Sequence, residues 1–376
     1  MNKFLILSYD YPPNDGGISR LCSAMVEDMR HRGSTVTVFT VHAGTVGGPL
    51  RPDVATVEMP SKRWLREVVT FLQVLRMCRD TCVVSTVWNP EGTLAYLAGF
   101  QQTVVMAHGN EVMNYPPGLR HRLKGWLRRK VITSASTVVC NSRYTERLVH
   151  AISPKTKTVV ITPGVDTQRY APVDDVRAIR QQFNLPTECR VVLSVSRIDA
   201  YKGHEVVLKA LAQISPGLRG KLHYVVAGRG SHLTTLKALA TSLGIEDSVT
   251  WLGFVPDDQL PALYNCADLF VLCTREDPQA RGVEGFGMVF LEAQASGVPV
   301  IGTRAGGIPD AIEEGRGGWL IEQDDVSTLS LHLEMLSRDM APFRAQGLLG
   351  RQRALTQCTW DLYVSKLLKV MDVENG

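Results

Sequence analysis

Short apolar runs alternate with stretches of helical periodicity along the whole chain. In the first half, β-branched and apolar runs predict strands at Phe4–Ser8, Thr35–Thr40, Cys82–Val87, Thr103–Ala107, Thr137–Cys140 and Thr158–Ile161. The second half repeats the rhythm at Val191–Val195, His223–Ala227, Val249–Leu252, Leu269–Leu272 and Pro299–Gly302. Because these runs are almost continuously apolar, we expect parallel strands covered on both faces. The alternation predicts an α/β protein with doubly wound sheets.

The length of the chain predicts two domains. A chain of 376 residues exceeds what one hydrophobic core commonly supports. The stretch Pro163–Asp175 contains the turn-forming and linker residues Pro163, Gly164 and Pro172. We therefore predict an N-terminal domain over residues 1–165 and a second domain that starts at residue 166.

Composition narrows the class of protein. The hydrophobic share of 44% is enough for two cores, and the net charge of +4 is too mild to indicate a nucleic-acid partner. The eight cysteines are scattered without Cys-x-x-Cys spacing, which favours reduced thiols. The first apolar run is a strand rather than a signal peptide, and no run has the length of a membrane span. We expect a cytoplasmic protein.

Two carboxylates flank a glycine bend in the sixteen residues Gly282–Gly297. In one continuous helix, Glu284 and Glu292 would differ by roughly 80° in direction and about 12 Å along the axis. Gly285 and Gly287 predict a bend, and a helix is predicted to begin at about Met288. Helix-start amides favour an anion, and carboxylates favour hydroxyls, as in a nucleotide-sugar pocket. An ordinary loop with two solvated glutamates is the alternative.

Further polar and glycine residues follow predicted strands, where ligands bind in open α/β sheets. Arg197 and Lys202 follow one strand and form the outline of a diphosphate clamp, although solvated surface cations are the alternative. His108 follows another strand, where a structural histidine is the alternative. Glycines occupy the same kind of position at Gly16, Gly17 and Gly228, and plain turns would explain them equally well.

A basic amphipathic segment covers residues 119–130. It contains six basic residues and no acidic ones, with Leu119, Leu123, Trp126 and Leu127 at helical spacing. Such a helix lies on anionic lipid in many peripheral proteins. It is equally compatible with an outer helix that packs on its own sheet and keeps its charges in water.

Taken together, these motifs resemble the retaining glycosyltransferases of family 4, also called glycosyl transferases group 1. The resemblance covers nearly the whole chain. It rests on Glu284 and Glu292 with their seven-residue spacer, and on motifs in family order: Gly16-Gly17, His108-Gly109, Pro163-Gly164-Val165-Asp166, Arg197 with Lys202-Gly203, and Ala295-Ser-Gly297-Val-Pro299. The resemblance implies the GT-B fold, in which two Rossmann-like doubly wound domains face a deep cleft. It also implies a C-terminal helix, within 358–376, that packs back on the N-terminal domain, so that the second domain covers 166–357.

The resemblance also implies roles for individual residues. Arg197 and Lys202 would hold the diphosphate, Glu292 the ribose and Glu284 the transferred sugar. Backbone amides at Phe286, Gly287 and Met288 would contact sugar and phosphate; Gly228, at another strand end, is included among the nucleotide-binding positions. Gly16 and Gly17 would approach the phosphate from the other domain, and His108 would lie beside the transferred sugar. We therefore predict Glu284, His108, Arg197 and Lys202 as the catalytic set.

The predicted activity is retaining transfer of a hexose from a nucleotide-diphosphate sugar to a glycan or lipid-linked acceptor, as in lipopolysaccharide or other cell-surface polysaccharide synthesis. No cofactor and no metal are expected, because cations and helix amides can stabilise the leaving group. The charged approach Arg275–Glu284 is similar to family members that use GDP-mannose, so mannose is favoured. Two alternatives stay open: a nucleotide-sugar epimerase or hydrolase on this fold, and a catalytically inactive glycan-binding protein.

Overall fold

The computed structural model of the chain describes residues 3–12, 16–41, 55–77, 81–277 and 282–372. It divides into two compact units. Unit 1 comprises Met1–Gly164 together with Trp360–Gly376, and unit 2 comprises Val165–Thr359.

Unit 1 is built on a parallel sheet. In the described residues it has seven strands in the order β3-β2-β1-β4-β5-β6-β7. Their bounds are β1 Lys3–Leu7, β2 Thr35–Val41, β3 Ala55–Met59, β4 Cys82–Ser85, β5 Thr103–Ala107, β6 Thr137–Cys140 and β7 Thr158–Val160. Central β1 pairs with β2 and β4, so that Phe4 lies opposite both Val36 and Cys82.

Helices cover both faces of the unit 1 sheet. They are α1 Gly17–His31, α2 Arg63–Leu75, α3 Thr93–Ala98, α4 Leu119–Ser134 and α5 Arg143–Ile152. Successive side chains of a strand point to opposite faces. Accordingly, Phe4 and Ile6 pack in one buried cluster with α1, whereas Leu5 and Leu7 pack in another with α2 and α3.

Unit 2 repeats this architecture with a six-stranded parallel sheet in the described residues, in the order β10-β9-β8-β11-β12-β13. Its strands are β8 Arg190–Val195, β9 Leu222–Ala227, β10 Val249–Gly253, β11 Leu269–Leu272, β12 Val300–Thr303 and β13 Gly318–Ile321. Its helices are α6 Val176–Gln182, α7 His204–Gln213, α8 Pro216–Arg219, α9 Leu233–Ser242, α10 Leu260–Asn265, α11 Met288–Ala295, α12 Ile308–Ala311, α13 Val326–Arg338 and α14 Ala341–Gln357. Val191 and Val192 of β8 belong to different core clusters, so both faces of this sheet are covered.

The last described helix, α15 Trp360–Asp372, belongs to unit 1. Its buried side chains, Tyr363, Val364, Leu367 and Met371, pack in the same cluster as residues of α1 and β1. Asp361 of α15 forms an ion pair with Arg32, which follows α1. Unit 1 is therefore assembled from two segments of sequence that are far apart.

The predicted fold class is confirmed: both units are Rossmann-like, with parallel sheets and helices on both faces. Two strands were not predicted, β3 and β13. Within the described ranges, both are edge strands with a single paired neighbour. An edge strand needs less apolar sequence than a central one, so its signal is weaker. Among the described residues, no helix combines the length and apolar character needed to cross a bilayer.

Candidate functional site

Lys202 and Glu284 are in contact in unit 2. The strands that precede them, β8 and β11, are neighbours in the sheet, so their carboxyl ends lie side by side. Lys202 follows β8 in a short turn, and Glu284 lies on the connection from β11 to α11. Lys202 Nζ donates to Glu284 Oε2 at 2.6 Å, and Lys202 is 8% exposed. Two residues 82 positions apart thus form one partly buried ion pair.

The ion pair keeps Lys202 charged. Burial, the largest single influence, lowers the pKa of its ammonium group, but the Glu284 carboxylate and Tyr201 together outweigh it, and the net pKa is raised. A buried amine held protonated at neutral pH is a fixed positive charge at the edge of the sheet. Such a charge favours binding of an anion.

Arg197 lies on the same loop as Lys202 but is exposed. Its guanidinium donates to Tyr201 Oη at 3.0 Å and pairs with Asp199 at 3.1 Å, and 70% of its side chain is open to solvent. It is near enough to Lys202 to lower the pKa of that amine. The structure therefore brings the two predicted cations together, one of them buried and the other exposed to solvent.

Glycines contact the backbone around Glu284 closely. Gly307 N–H donates to Glu284 O at 2.8 Å, and a Cβ on Gly306 would lie 2.3 Å from that oxygen. Gly287 precedes α11 with a φ of +95°, where L side chains are strained. Phe286 is buried next to it, and α11 begins at Met288 as predicted. The N-terminus of α11, which carries the positive end of the helix dipole, therefore lies shortly after Glu284 in the chain.

Glu292 lies one turn into α11 and is 3% exposed. Its Oε2 accepts a hydrogen bond from Tyr264 Oη at 2.7 Å. Glu284 and Glu292 therefore have different partners. This agrees with the bend that the sequence predicts between them.

Gly228, at the end of β9, packs against the cation loop, which we define as residues 196–203. Its φ is +147°, and a Cβ there would lie 1.8 Å from Ser196 O, so no larger residue fits. Gly228 N–H donates to Gly253 O at 2.6 Å. The next residue, Arg229, places its guanidinium 5.3 Å from the Phe254 ring centroid.

Gly16 and Gly17 lie in unit 1 at the start of α1. Gly16 caps the helix with a φ of +154°, and a Cβ on it would lie 3.8 Å from Asp10 Oδ2. The loop residues 13–15 fall outside the described ranges. Gly16 lies between β1 and α1, and Gly17 is the first residue of α1, so the pair stands at the strand-to-helix connection that the sequence predicts.

His108 follows β5 and is held at three points. Its Nε2 lies 2.8 Å from Thr86 O, and because a carbonyl oxygen only accepts, Nε2 carries the proton. Its backbone N–H donates to Glu111 Oε1 at 2.5 Å, and its carbonyl accepts from Asn141 Nδ2 at 3.0 Å. In the neutral ring, Nδ1 is therefore an acceptor.

Two carboxyl groups of unit 1 were missed by sequence reasoning. Burial raises the pKa of Asp10, and nearby His108 partly opposes this. Burial raises the pKa of Glu91 to about 7; its Oε1 accepts from Tyr9 N–H at 3.1 Å, and its Oε2 meets no donor among the described residues. Each residue follows a buried strand, β1 or β4, closely. A search for acids just after strands would have found them.

No group of three His, Cys, Asp or Glu side chains suited to a metal occurs in the described ranges.

The sequence and the fold of this chain are similar to those of known proteins. Residues 15–169 match Glycosyltransferase Family 4, and residues 175–346 match Glycosyl transferases group 1. A GDP-mannose-dependent α-(1-6)-phosphatidylinositol monomannoside mannosyltransferase of Mycolicibacterium smegmatis is 30% identical, over 98% of this chain and 97% of the relative. The protein of the same description from Mycobacterium tuberculosis is 32% identical over the same shares. Sucrose-phosphate synthase of Thermosynechococcus elongatus superposes with a TM-score of 0.82 at 20% identity, over 100% of this chain and 99% of that structure.

The two Rossmann-like units and these likenesses define a glycosyltransferase of the GT-B fold. The chain belongs to glycosyltransferase family 4.

Proposed function

We propose that this enzyme transfers mannose, with retention of configuration, from GDP-mannose to a lipid-linked glycan acceptor. The observation that carries the proposal is the near-full-length similarity to two GDP-mannose-dependent mannosyltransferases, which spans both units. These relatives act, by their descriptions, on phosphatidylinositol monomannoside. The acceptor proposed for this chain is a lipid-linked glycan of that general kind.

The charge at the edge of unit 2 supports departure of a nucleoside diphosphate. Lys202 is a buried, protonated amine, Arg197 is an exposed guanidinium beside it, and the Gly287 cap of α11 lies against Glu284, the partner of Lys202. Preorganised positive charge stabilises the developing charge of the leaving group. We propose that this set fulfils the role for which other transferases use a metal ion.

The carboxylates support retention without a covalent enzyme intermediate. In retaining glycosidases, one of two carboxylates about 5 Å apart is a free nucleophile. Here Glu284 is bonded to Lys202, and Glu292 is buried against Tyr264. We propose that Glu284 binds hydroxyls of the transferred sugar and Glu292 those of the ribose. The leaving phosphate then receives the proton of the acceptor hydroxyl on the same face.

Unit 1 supports recognition of an acceptor hydroxyl. His108 presents a ring nitrogen acceptor, and the carboxyl group of Asp10 lies near it and near Gly16. Acceptor groups of this kind bind hydroxyl donors. We propose that Asp10 and His108 orient the acceptor sugar.

The surface of α4 supports contact with an anionic bilayer. Leu119, Leu123 and Trp126 are 82%, 66% and 57% exposed, and basic side chains surround them. Helix α2 exposes a second apolar stripe, and α3 packs against both α2 and α4. The members of that stripe are Trp64, Val68, Leu72 and Leu75. Exposed apolar residues with a basic flank favour anionic lipid.

The donor is tested by incubating the enzyme with GDP-mannose, UDP-glucose and ADP-glucose, each with a membrane extract that contains glycolipid acceptors. GDP-mannose should give a mannosylated lipid, and NMR of the new anomeric centre should show the α configuration of the donor. A product with inverted configuration contradicts retention. Transfer from UDP-glucose alone contradicts the donor. Undiminished activity in EDTA is expected.

Membrane contact is tested by flotation with vesicles of phosphatidylcholine and phosphatidylglycerol. The enzyme should float at low salt and dissociate as salt is raised. Paired replacement of Leu123 and Trp126 by serine should abolish flotation, whereas paired replacement of the exposed Leu348 and Leu355 of α14 should not. If wild-type enzyme does not float at low salt, the contact is absent.

A further inference from the structure

Tyr264 and Glu292 form a buried hydrogen bond between two helices of unit 2. Tyr264 lies on α10 and Glu292 on α11, and the two residues are 0% and 3% exposed. Tyr264 Oη donates to Glu292 Oε2 at 2.7 Å. The carboxylate that is proposed for the ribose is therefore held at one oxygen by a side chain from another helix.

The ring of Tyr264 is fixed by other aromatic side chains. Its centroid lies 5.7 Å from that of Tyr170, with the ring planes at 75°, and 5.8 Å from that of Phe270 on β11. Phe270 meets Phe290 of α11 edge to face, at 5.4 Å and 86°. All four rings are buried in one cluster. Because a ring packed in this way cannot turn freely about its side-chain torsions, the direction of the Tyr264 hydroxyl is fixed.

The backbone of Glu292 has supports that do not involve Tyr264. Its carbonyl accepts from Ser296 N–H at 3.1 Å and from Ser296 Oγ at 3.0 Å. Arg351 of α14 donates to Ala295 O, at the last residue of α11, at 2.6 Å. Loss of the Tyr264 hydroxyl should therefore leave α11 in place and loosen only the side chain of Glu292.

The orientation of the Glu292 carboxylate determines what it can bind. Because so little of this residue reaches solvent, a small rotation decides whether an oxygen faces a ligand. A glutamate has several side-chain torsions, and ordering them when a ligand binds reduces affinity. A carboxylate has about four acceptor sites, so it can accept from Tyr264 and from ribose hydroxyls together. A tyrosine that holds one oxygen thus orders the carboxylate before a nucleotide binds.

We propose that Tyr264 is a positioning residue of the donor site, which orients the Glu292 carboxylate toward the ribose hydroxyls. The inference rests on the proposed assignment of Glu292 to the ribose. Tyr264 is fully buried, so its effect passes through Glu292 rather than through contact with the nucleotide. The bond that breaks in the reaction joins the transferred sugar to the phosphate, so contacts with the ribose stabilise ground state and transition state alike. The effect therefore belongs to donor affinity and not to the chemical step.

The ribose hydroxyls can be removed from the ligand, which isolates their contribution to affinity. Calorimetry compares GDP with 2′,3′-dideoxy-GDP. Wild-type enzyme should bind GDP at least about tenfold more tightly, because hydrogen bonds to a carboxylate are lost in the dideoxy form. In Tyr264→Phe, affinity for GDP should fall about fivefold, while affinity for the dideoxy form stays within about twofold of wild type. The ratio of the two affinities should therefore fall.

Tyr170→Phe is the matched control. It removes a hydroxyl from the same buried cluster and leaves the hydrogen bond between Tyr264 and Glu292 in place. Its affinity ratio should equal that of wild type. Both phenylalanine variants keep their rings, so both should fold, and binding is measured well below the melting temperature of each.

A double variant tests whether Tyr264 acts through Glu292. In Glu292→Ala, the preference for GDP over the dideoxy form should be lost, and adding Tyr264→Phe should not change the ratio further. In the kinetics of transfer, Tyr264→Phe should raise the donor KM about fivefold and leave kcat within about twofold of wild type. An equal loss of affinity for both nucleotides in Tyr264→Phe would mean a purely structural role and overturn the proposal.

The same titrations distinguish failure of this inference from failure of the proposed function. UDP, ADP and their dideoxy forms are titrated in parallel. If wild-type enzyme binds one of these instead of GDP, the proposed donor fails, and that pair of ligands tests Tyr264. If wild type prefers the hydroxylated form and Tyr264→Phe prefers it equally, Glu292 keeps its assignment and the role of Tyr264 is refuted. If wild type shows no preference, or binds none of the nucleotides, both assignments are refuted.

Discussion

The sheet edges of the two units differ in how their polar groups are satisfied. In unit 2, Lys202 is bonded to Glu284, and the surrounding backbone is packed against glycines. In unit 1, the carboxyl groups of Asp10 and Glu91 both have raised pKa values, and burial is the main cause of each. One edge has its charges compensated within the protein. The edge of unit 1 holds two acids whose charged forms are disfavoured by burial.

This difference fits a division of labour between the units. Nucleoside diphosphates share the same diphosphate group, so a preformed set of cations and amides suits every donor. Acceptors differ in shape, and polar groups without strong internal partners can bond to a substrate instead. The comparison predicts that substitutions at the sheet edge of unit 2 have the largest effects on stability. Substitutions at the sheet edge of unit 1 should instead alter the pH dependence of stability and the binding of the acceptor.

The largest effect is expected from Gly203→Ala. Gly203 has a φ of +71°, and a Cβ there would lie 1.9 Å from Cys273 O, which belongs to a buried residue. The free energy of unfolding should fall by about 3 kcal/mol or more, from backbone strain and the clash together. Gly244→Ala is the matched control, because its φ is +62° and no atom of the described residues lies within 4 Å of the position that a Cβ would take. Equal losses in urea denaturation would show that the packing against Cys273 contributes nothing.

The next effect is a change in pH dependence with Glu91→Gln. The pKa of Glu91 is raised from 4.5 to about 7, so the folded state holds this proton more tightly than the unfolded state. The free energy of unfolding therefore decreases as pH rises from about 4.5 to about 7, by about 3 kcal/mol at most. Glu91→Gln should remove this decrease and make the protein more stable than wild type at pH 8. If the free energies of unfolding of the two proteins varied with pH in parallel, the prediction would be contradicted. Glu246→Gln, at an exposed site, serves as the control.

Lys202→Ala and Glu284→Gln should each lower turnover at least tenfold, which is about 1.4 kcal/mol in the barrier. Each change removes half of the ion pair, and Lys202→Ala also removes the positive charge that is proposed to bind the diphosphate. Initial rates at saturating donor measure the effect, with circular dichroism to confirm folding. Lys221→Ala, on the exposed surface of unit 2, is the control. Near-normal turnover in either site variant would refute the assignment of that residue.

The smallest effect is expected from Asp10→Asn. The amide keeps the size of the side chain but weakens acceptance from a sugar hydroxyl. The KM for the acceptor should rise by about threefold to tenfold, while the KM for the donor stays the same. A rise in the donor KM with an unchanged acceptor KM would place Asp10 in the donor site. That result would also weaken the comparison between the two units.

The sequence predicted the parts of the fold that depend on local patterns. Buried central strands such as β5 and β6 are continuous apolar runs, and their bounds agree with the prediction. The bend at Gly287 and the start of α11 were predicted from glycine placement. Edge strand β13 begins with Gly318 and has one neighbour, so its pattern was too weak to find.

The parts of the site that depend on tertiary pairing were not predictable in the same way. Lys202 and Glu284 were each identified, but their ion pair depends on β8 and β11 being neighbours, which no local pattern gives. The buried hydrogen bond between His204 and Tyr224 was overlooked for the same reason, since Tyr224 lies on a different element, strand β9. Glu91 stands out because its side chain is buried, and the burial of a single acid cannot be derived from its neighbours in sequence.

The place of α15 in unit 1 affects the order in which the chain can fold during synthesis. Residues 165–359 leave the ribosome before Trp360–Asp372, so unit 2 can complete its core while unit 1 still lacks a helix. Until α15 emerges, Cys22, Met25 and Met29 of α1 have no cover from Tyr363 and Leu367. The N-terminal unit is therefore the last to be finished, and its nascent form exposes an apolar face that chaperones recognise.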